Sequence, residues 1–460
     1  MTLIKSISGI RGTIGGSVGD SLTPIDVVKF TAAFGTWIKK RAQKEQFKIV
    51  LGRDARISGD MVRQLAVGTL QGLGINVVDL GLSTTPTVEV AVPLENADGG
   101  IILTASHNPK QWNALKLLNE KGEFINALDG EEVLSIAEQD AYSFTKVDDL
   151  GSYTQDNSYI KKHIQAILDL PLVDSALIRK AAFKVVVDGV NSTGGIAVPE
   201  LLELLGVECI KLYCEPTGNF PHNPEPLAEH LTEISSLVVA EKADLGIVVD
   251  PDVDRLALVN EDGSMFGEEF TLVAVADYIL SKQIGNTVSN LSSSRALKDV
   301  TEKYGGNYEA SAVGEVNVVT KMKDTNAIIG GEGNGGIIYP ALHYGRDSLV
   351  GIALFLTHLA EQKIKCSELK AKYPVYFMSK NKIQLSPSID VVALLKQMEN
   401  KYSHEQVSNI DGVKIDFADE WIHLRKSNTE PIVRIYTEST TVDKANTLAE
   451  RFIAEIKSMI

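Results

Sequence analysis

Short aliphatic runs that stop abruptly in glycine and polar residues recur along this chain, and they narrow the folds open to it. Phe47–Leu51 gives way to Gly52-Arg-Asp-Ala-Arg56, Ile101–Leu103 to Thr104-Ala-Ser-His-Asn-Pro109, and Phe183–Val187 to Asp188-Gly-Val-Asn-Ser-Thr-Gly-Gly195. Runs this short and this apolar suit strands buried on both faces, which belong to parallel sheets covered by helices. Helical segments lie between them. One opens at Thr23-Pro24 with Val27, Val28, Phe30 and Phe34 on its apolar positions, and another runs to about Leu73 before a strand at Asn76–Leu80. Strand and helix in alternation predict βαβ units with a parallel core. In open sheets of that kind reactive groups sit on loops at the carboxyl ends of strands, where Ser106 and His107 fall.

At 460 residues the chain exceeds one hydrophobic core and predicts three or four domains. The polar stretch near Asp148–Gln155 is a natural division. The last segment changes rhythm, with strands at Tyr376–Leu385, Val413–Phe417, Trp421–Leu424 and Ile432–Tyr436 and a closing helix from Val442, as in a small α+β domain. The net charge of −15 repels nucleic acid and anionic membrane alike, so neither is an expected partner. Cys209, Cys214 and Cys366 are too scattered for a disulfide framework or a zinc site. No apolar run approaches membrane-spanning length and the first residues lack a signal-peptide core, which predicts a cytoplasmic protein.

Four stretches carry chemistry. Thr104-Ala-Ser-His-Asn-Pro109 alone reads as a Ser/Asn-Pro turn that exposes Ser106. Asp250, Asp252 and Asp254 alternate at the end of the run Ile247–Val249, so their carboxylates can converge on one hard cation. An EF-hand would share that alternation and would find Glu261 at the twelfth position. It fails because Arg255 stands where glycine is required and the flanks read as strands. Gly330-Gly-Glu-Gly-Asn-Gly-Gly336 reads as a hairpin or bulge, although Glu332 and Asn334 could hydrogen-bond sugar hydroxyls. Arg425-Lys-Ser-Asn-Thr-Glu-Pro-Ile-Val-Arg434 is a solvated hairpin tip or a phosphate clamp, with Arg425, Ser427, Asn428 and Thr429 as donors. Near the start, Arg11 stands between glycines in Gly9-Ile-Arg-Gly12, where nothing crowds its guanidinium.

Together these stretches resemble the α-D-phosphohexomutases, the family of phosphoglucomutase, phosphomannomutase and phosphoglucosamine mutase. Thr-Ala-Ser-His-Asn-Pro resembles the family's phosphoserine loop, Asp-Pro-Asp-x-Asp-Arg its metal loop, and Arg-x-Ser-Asn-Thr-Glu-Pro its phosphate loop, in the family's order along the whole chain. In the sugar-binding loop this chain keeps Glu332 but has Asn334 and Gly336 where many bacterial members have serine and histidine. The resemblance implies three consecutive α/β domains with mixed, largely parallel sheets (1–152, 153–255 and 256–371) and a C-terminal α+β domain (372–460), with the active site in a central cleft.

The implied reaction interconverts hexose 6-phosphate and hexose 1-phosphate through a phosphoserine at Ser106 and a hexose 1,6-bisphosphate. One Mg²⁺ per chain would be held by Asp250, Asp252, Asp254 and phosphorylated Ser106. Arg11, Lys116 and Arg255 would neutralise charge. Lys116 or His107 would take the hydroxyl proton, Lys116 only if its site lowers its pKa. Glu332 and Asn334 would bind the sugar, and Arg425, Ser427, Asn428, Thr429 and Arg434 the phosphate that is not reacting. The expected partners are small-molecule sugar phosphates, for a monomer or homodimer. Phosphoglucosamine mutase is the favoured member, ahead of phosphoglucomutase/phosphomannomutase. A metal-dependent phosphatase would not need the Arg425 loop, and a non-catalytic sugar-phosphate sensor would not need Ser106, Lys116 and three aspartates.

Overall fold

The structure is a computed structural model, and it describes residues 2–6, 9–42, 44–386, 389–426 and 432–459. The chain divides into two compact units, Met1–Thr271 with Gly335–Leu369, and Leu272–Asn334 with Lys370–Ile460. No helix among the described residues is long and apolar enough to cross a membrane.

In the first unit the described residues form a seven-stranded mixed sheet. Its spatial order is Ile4–Ser6, Gly9–Thr13, Trp112–Leu118, Gly99–Leu103, Phe47–Arg53, Ile75–Leu82 and Tyr153–Gln155. The last four lie parallel, and Trp112–Leu118 turns back antiparallel against Gly99–Leu103. Every residue of Gly99–Leu103 is buried, as its unbroken apolar pattern predicts. Tyr153–Gln155 extends this sheet past the division expected at residue 152. A second sheet, ordered Leu256–Asn260, Leu245–Val249, Lys184–Asp188 and Glu208–Leu212, is parallel apart from the antiparallel Leu256–Asn260. That strand carries the second sheet past the division expected at 255, because a tight return pairs it directly with the strand that precedes the aspartates.

The helices start where local chemistry starts them. Thr23 caps Pro24–Arg41 through a capping box with Asp26, and Lys39, Lys40 and Arg41 close the helix against its dipole. Asp347 caps Ser348–Gln362 by accepting from the backbone N–H groups of Leu349 and Val350. Two helices, Tyr159–Leu168 and Ser175–Ala181, follow residue 155.

In the second unit Tyr308–Ser311, Asn286–Asn290 and Ala327–Glu332 lie parallel. Its C-terminal part is an antiparallel sheet in the order Phe377–Gln384, Ile432–Ser439, Trp421–Lys426, Val413–Asp416 and Gln406–Ser408. Two of its elements, the helix Val391–Lys401 and the strand Gln406–Ser408, were not anticipated from the sequence. The four-part α/β architecture, largely parallel with an antiparallel C-terminal sheet, is the expected fold class.

Candidate active site

The Ser106 loop is set by a buried arginine. Arg56 pairs through Nε with Asp54 Oδ2 at 3.0 Å, and both side chains are fully buried. Its two terminal nitrogens donate to the carbonyls of Ser106, Asn108 (2.7 Å), Pro109 (2.8 Å) and Trp112 (2.9 Å). Asp54 also accepts from Thr104 Oγ1, which accepts in turn from the Ser106 N–H. Ser106 itself adopts φ +49°, a left-handed conformation uncommon outside glycine and held here by these bonds. Its hydroxyl donates to Asp250 Oδ2 at 2.8 Å.

The strand Leu245–Val249 is buried throughout and delivers Asp250, Asp252 and Asp254, each with no exposed surface. One ligand oxygen from each lies within 4.8 Å of the others. Between them Val253 adopts φ +65°, strained for a β-branched residue. The loop is tied down behind by Ser192 and Thr193, whose hydroxyls donate to the Pro251 carbonyl at 2.7 and 2.9 Å. The glycine-rich turn after Asp188 thus serves as a brace for the aspartates.

Three carboxylates in so small a buried space need positive charge. Lys116 Nζ lies 2.8 Å from Asp252 and 3.4 Å from Asp254, and Arg346 Nη2 lies 2.7 Å from Asp254. Thr85 Oγ1 donates to Asp252 Oδ2 at 2.5 Å, and Asp250 Oδ1 accepts from the N–H groups of Asp254 and Arg255. Two cations against three carboxylates leave one negative charge over. The Oδ1 atoms of Asp252 and Asp254 are buried without a hydrogen-bond partner. Oxygen donors with an unspent charge and two orphaned atoms fit a hard divalent cation, and this triad could hold a metal.

The titration behaviour follows from the same contacts. Burial, Asp254 and Asp252 push Asp250 well above the ordinary carboxylate range. Burial opposes ionisation of Asp252 too, but Lys116 beside it holds it low. Burial works against the Lys116 ammonium, yet Asp252 and Asp254 outweigh it and raise its pKa. This is opposite to the lowering that proton abstraction by Lys116 would require. His107 Nδ1 lies 3.4 Å from Ser106 Oγ. Burial first, and then the Arg255 guanidinium, keep its imidazole neutral by holding its pKa well below the usual value. Arg11 and Arg346 act on His107 in the same direction.

Arg255 Nη1 pairs with Glu225 Oε1 at 3.1 Å. The proline-rich loop Phe220–Pro226 therefore positions an arginine. His222 pins the same loop to Asp188 at 3.0 Å.

The second unit holds the remaining expected residues. Glu332 is buried, and its Oε1 accepts from Asn290 Nδ2 at 2.7 Å and from the Gly314 N–H at 3.0 Å. Asn334 is half-buried. Arg425 Nε pairs with Asp411 Oδ2 at 2.8 Å, and the exposed Arg434 stands opposite Arg425 on the neighbouring strand. Asp411 also accepts from the Val313 N–H. Ser427, Asn428 and Thr429 lie outside the described residues.

Sequence profiles of four domains match this chain one after another. Phosphoglucomutase/phosphomannomutase α/β/α domains I, II and III match residues 3–143, 158–263 and 268–376, and the C-terminal domain of the same family matches 380–455. The chain belongs to the phosphoglucomutase/phosphomannomutase family. It is 33% identical over 444 residues, covering 95% of the chain and 96% of the relative, to a phosphoglucomutase/phosphomannomutase of Thermococcus kodakarensis. It is 33% identical over 463 residues, with 98% of each covered, to a phosphoglucosamine/phosphogalactosamine mutase of Sulfurisphaera tokodaii. Among solved structures, a phosphoglucomutase/phosphomannomutase family protein of Burkholderia thailandensis superposes with a TM-score of 0.85 at 26% identity, covering 99% of this chain and 98% of that one. The chain is a phosphohexomutase, an intramolecular phosphotransferase.

The site of this phosphohexomutase contains residues that the motifs did not name. Arg56 organises the Ser106 loop, Thr85 and Arg346 contact the aspartates, and Ser192 and Thr193 brace them. Arg56 had a local signal, since it closes Gly52-Arg-Asp-Ala-Arg56 at a strand's carboxyl end. Arg346 had none, being an arginine in an ordinary loop until the fold sets it against Asp254.

Proposed function

We propose that this phosphohexomutase works through a phosphoserine at Ser106 and acts on glucosamine phosphate. The observation that carries the mechanism is the Ser106 hydroxyl at 2.8 Å from Asp250, inside a triad whose Asp252 and Asp254 each keep an orphaned oxygen. A phosphoryl group on Ser106 Oγ would sit against that triad, and one Mg²⁺ bound by Asp250, Asp252 and Asp254 supplies charge neutralisation for its transfer.

The chain's own residues do the rest. In the transfer the Ser106 Oγ–P bond breaks and a bond forms from phosphorus to the substrate's free hydroxyl oxygen. The substrate hydroxyl gives up its proton as the new bond forms and Ser106 Oγ takes one up as the old bond breaks, with the His107 imidazole, 3.4 Å from Oγ, as the relay between them. Lys116, an ammonium between Asp252 and Asp254, contributes positive charge beside the transferring group. The hexose 1,6-bisphosphate then reverses, and its other phosphate returns to Ser106. Glu332, anchored through Oε1, would accept from sugar hydroxyls, and Arg425 with Ser427, Asn428, Thr429 and Arg434 would hold the distal phosphate.

The choice of glucosamine phosphate is supported by the Sulfurisphaera relative, which is matched over 98% of both chains. Glucose and mannose phosphates are the second reading, supported by the Thermococcus relative. We read the enzyme as cytoplasmic, in keeping with its free cysteines, and as a monomer or homodimer. Assaying the 6-phosphates of glucosamine, glucose and mannose side by side tests the choice. A higher kcat/KM for glucose or mannose 6-phosphate would replace glucosamine with that sugar.

A further inference from the structure

A second cluster of buried ionisable groups lies in the first unit, and the reaction above does not use it. His163 projects from the helix Tyr159–Leu168, and Asp347 caps the helix Ser348–Gln362, with His343 four residues before it. His163 and Asp347 have fully buried side chains, and that of His343 is 11% exposed. His163 Nε2 lies 3.0 Å and His343 Nε2 3.4 Å from the same atom, Asp347 Oδ2. One ligand atom from each of the three residues lies within 4.8 Å of the others. Around a tetrahedral ion with bonds of about 2.0–2.1 Å, ligand atoms stand roughly 3.3–3.4 Å apart.

The outer atoms of these three residues are also set as metal ligands need them. Asp347 Oδ1 is engaged by the N–H groups of Leu349 and Val350, which aims Oδ2 at the two rings. His163 Nδ1 meets Thr87 Oγ1 at 3.0 Å, and His343 Nδ1 meets Glu89 Oε2 at 3.3 Å. Thr87 Oγ1 on the far nitrogen of His163 fixes that ring with Nε2 facing the centre, as in histidine ligands, while Glu89 sets a carboxylate charge beside the far nitrogen of His343 without a hydrogen bond to it. Thr87 and Glu89 share the helix Thr85–Leu94, and Glu89 is 1% exposed. Gly345 makes room for that carboxylate, since a Cβ there would fall 1.9 Å from Glu89 Oε2.

We propose that His163, His343 and Asp347 bind a divalent transition ion of the zinc type, at a site separate from the aspartate triad. Metal ligation takes both imidazoles as neutral donors, and a dication would then balance the charges of Asp347 and Glu89. Two nitrogens and one oxygen select zinc-like ions, whereas the all-oxygen triad selects magnesium-like ones. The ion would tie the helix Tyr159–Leu168 to the start of Ser348–Gln362, with Thr87 and Glu89 of the helix Thr85–Leu94 behind the two rings. One of these helices begins with Thr85, which donates to Asp252, and the segment before another carries Arg346, which pairs with Asp254. Its role is to stiffen the support of the triad.

The test uses the full chain, stripped with chelator and returned to saturating Mg²⁺, then titrated with Zn²⁺ alone. One equivalent of Zn²⁺ should bind and raise the thermal midpoint. His343→Gln should abolish that uptake, and Glu89→Gln should weaken it roughly 10- to 100-fold. Asp250→Asn should leave it intact. No Zn²⁺ uptake over Mg²⁺, uptake unchanged in His343→Gln, or uptake lost in Asp250→Asn would each overturn the proposal. Should His343→Gln fail to fold, Cu²⁺ bound to the wild-type chain decides. Nitrogen couplings from two imidazoles in its electron paramagnetic resonance spectrum support the site, and their absence rejects it.

Discussion

Among the described residues, the surroundings of Ser106 and those of Arg425 differ in how many constraints hold them. Arg56 alone gives the Ser106 loop four carbonyl contacts and a buried ion pair, and the aspartates are pinned by Lys116, Arg346, Thr85 and the brace under Pro251. Among the described residues, Arg425 has one ion pair, to Asp411, and both partners are about one-fifth exposed. Bond-making tolerates little displacement, so a group that exchanges phosphate must be over-determined. A clamp for an anion works through charge and a forked donor, which tolerate some play. Ser106 and Val253 both adopt positive φ, with fully buried charge around them.

Breaking the over-determined side should do the greater damage. Ser106→Ala removes the proposed phosphoryl carrier and should lower mutase turnover by about a thousandfold or more. Intact-mass measurement after treatment with a hexose 1,6-bisphosphate should show one added phosphate on wild type and none on the variant. Asp252→Asn should lose most turnover, by roughly 100- to 1,000-fold, because it removes a ligand and a partner of Lys116 together. EDTA should produce the same loss in wild type and Mg²⁺ should restore it.

Arg56→Ala tests support rather than chemistry. It strands the buried Asp54 charge and frees four carbonyls, so denaturant unfolding should show a loss of about 3–5 kcal/mol. A change below about 1 kcal/mol would mean that the loop holds itself. On the looser side, Arg425→Ala should cost roughly 2–4 kcal/mol in kcat/KM while leaving phosphorylation of Ser106 and the melting midpoint near wild type. Unchanged kcat/KM would show that Arg425 does not hold the distal phosphate.

The smallest effect concerns the His222–Asp188 pin. Burial works against the imidazolium, but Asp188 outweighs it and raises the pKa of His222 in the folded protein. A raised folded-state pKa adds stability that is fully present below the unfolded value of about 6.5 and is lost as pH rises through the folded value. Asp188→Asn should therefore melt below wild type near pH 6, with the gap closing as pH rises above neutrality. A gap independent of pH would show that the pin acts through neutral hydrogen bonds.

Fold class and local motifs were legible in the order of residues. Alternating apolar runs and helices dictated covered, largely parallel sheets, and residues within one loop, such as Asp250, Asp252 and Asp254, must lie near one another wherever that loop goes. Only the tertiary structure decided the partners. Arg56 reaches the Ser106 carbonyl across 50 residues, Arg346 reaches Asp254 across 92, and His163 meets Asp347 across 184. A buried charge requires a counter-charge, but which arginine or lysine supplies it depends on strand order and crossover, to which composition and spacing are blind. The state of Lys116 was decided in the same way. Its pKa rises or falls with the carboxylates set around it, and those come from a different sheet.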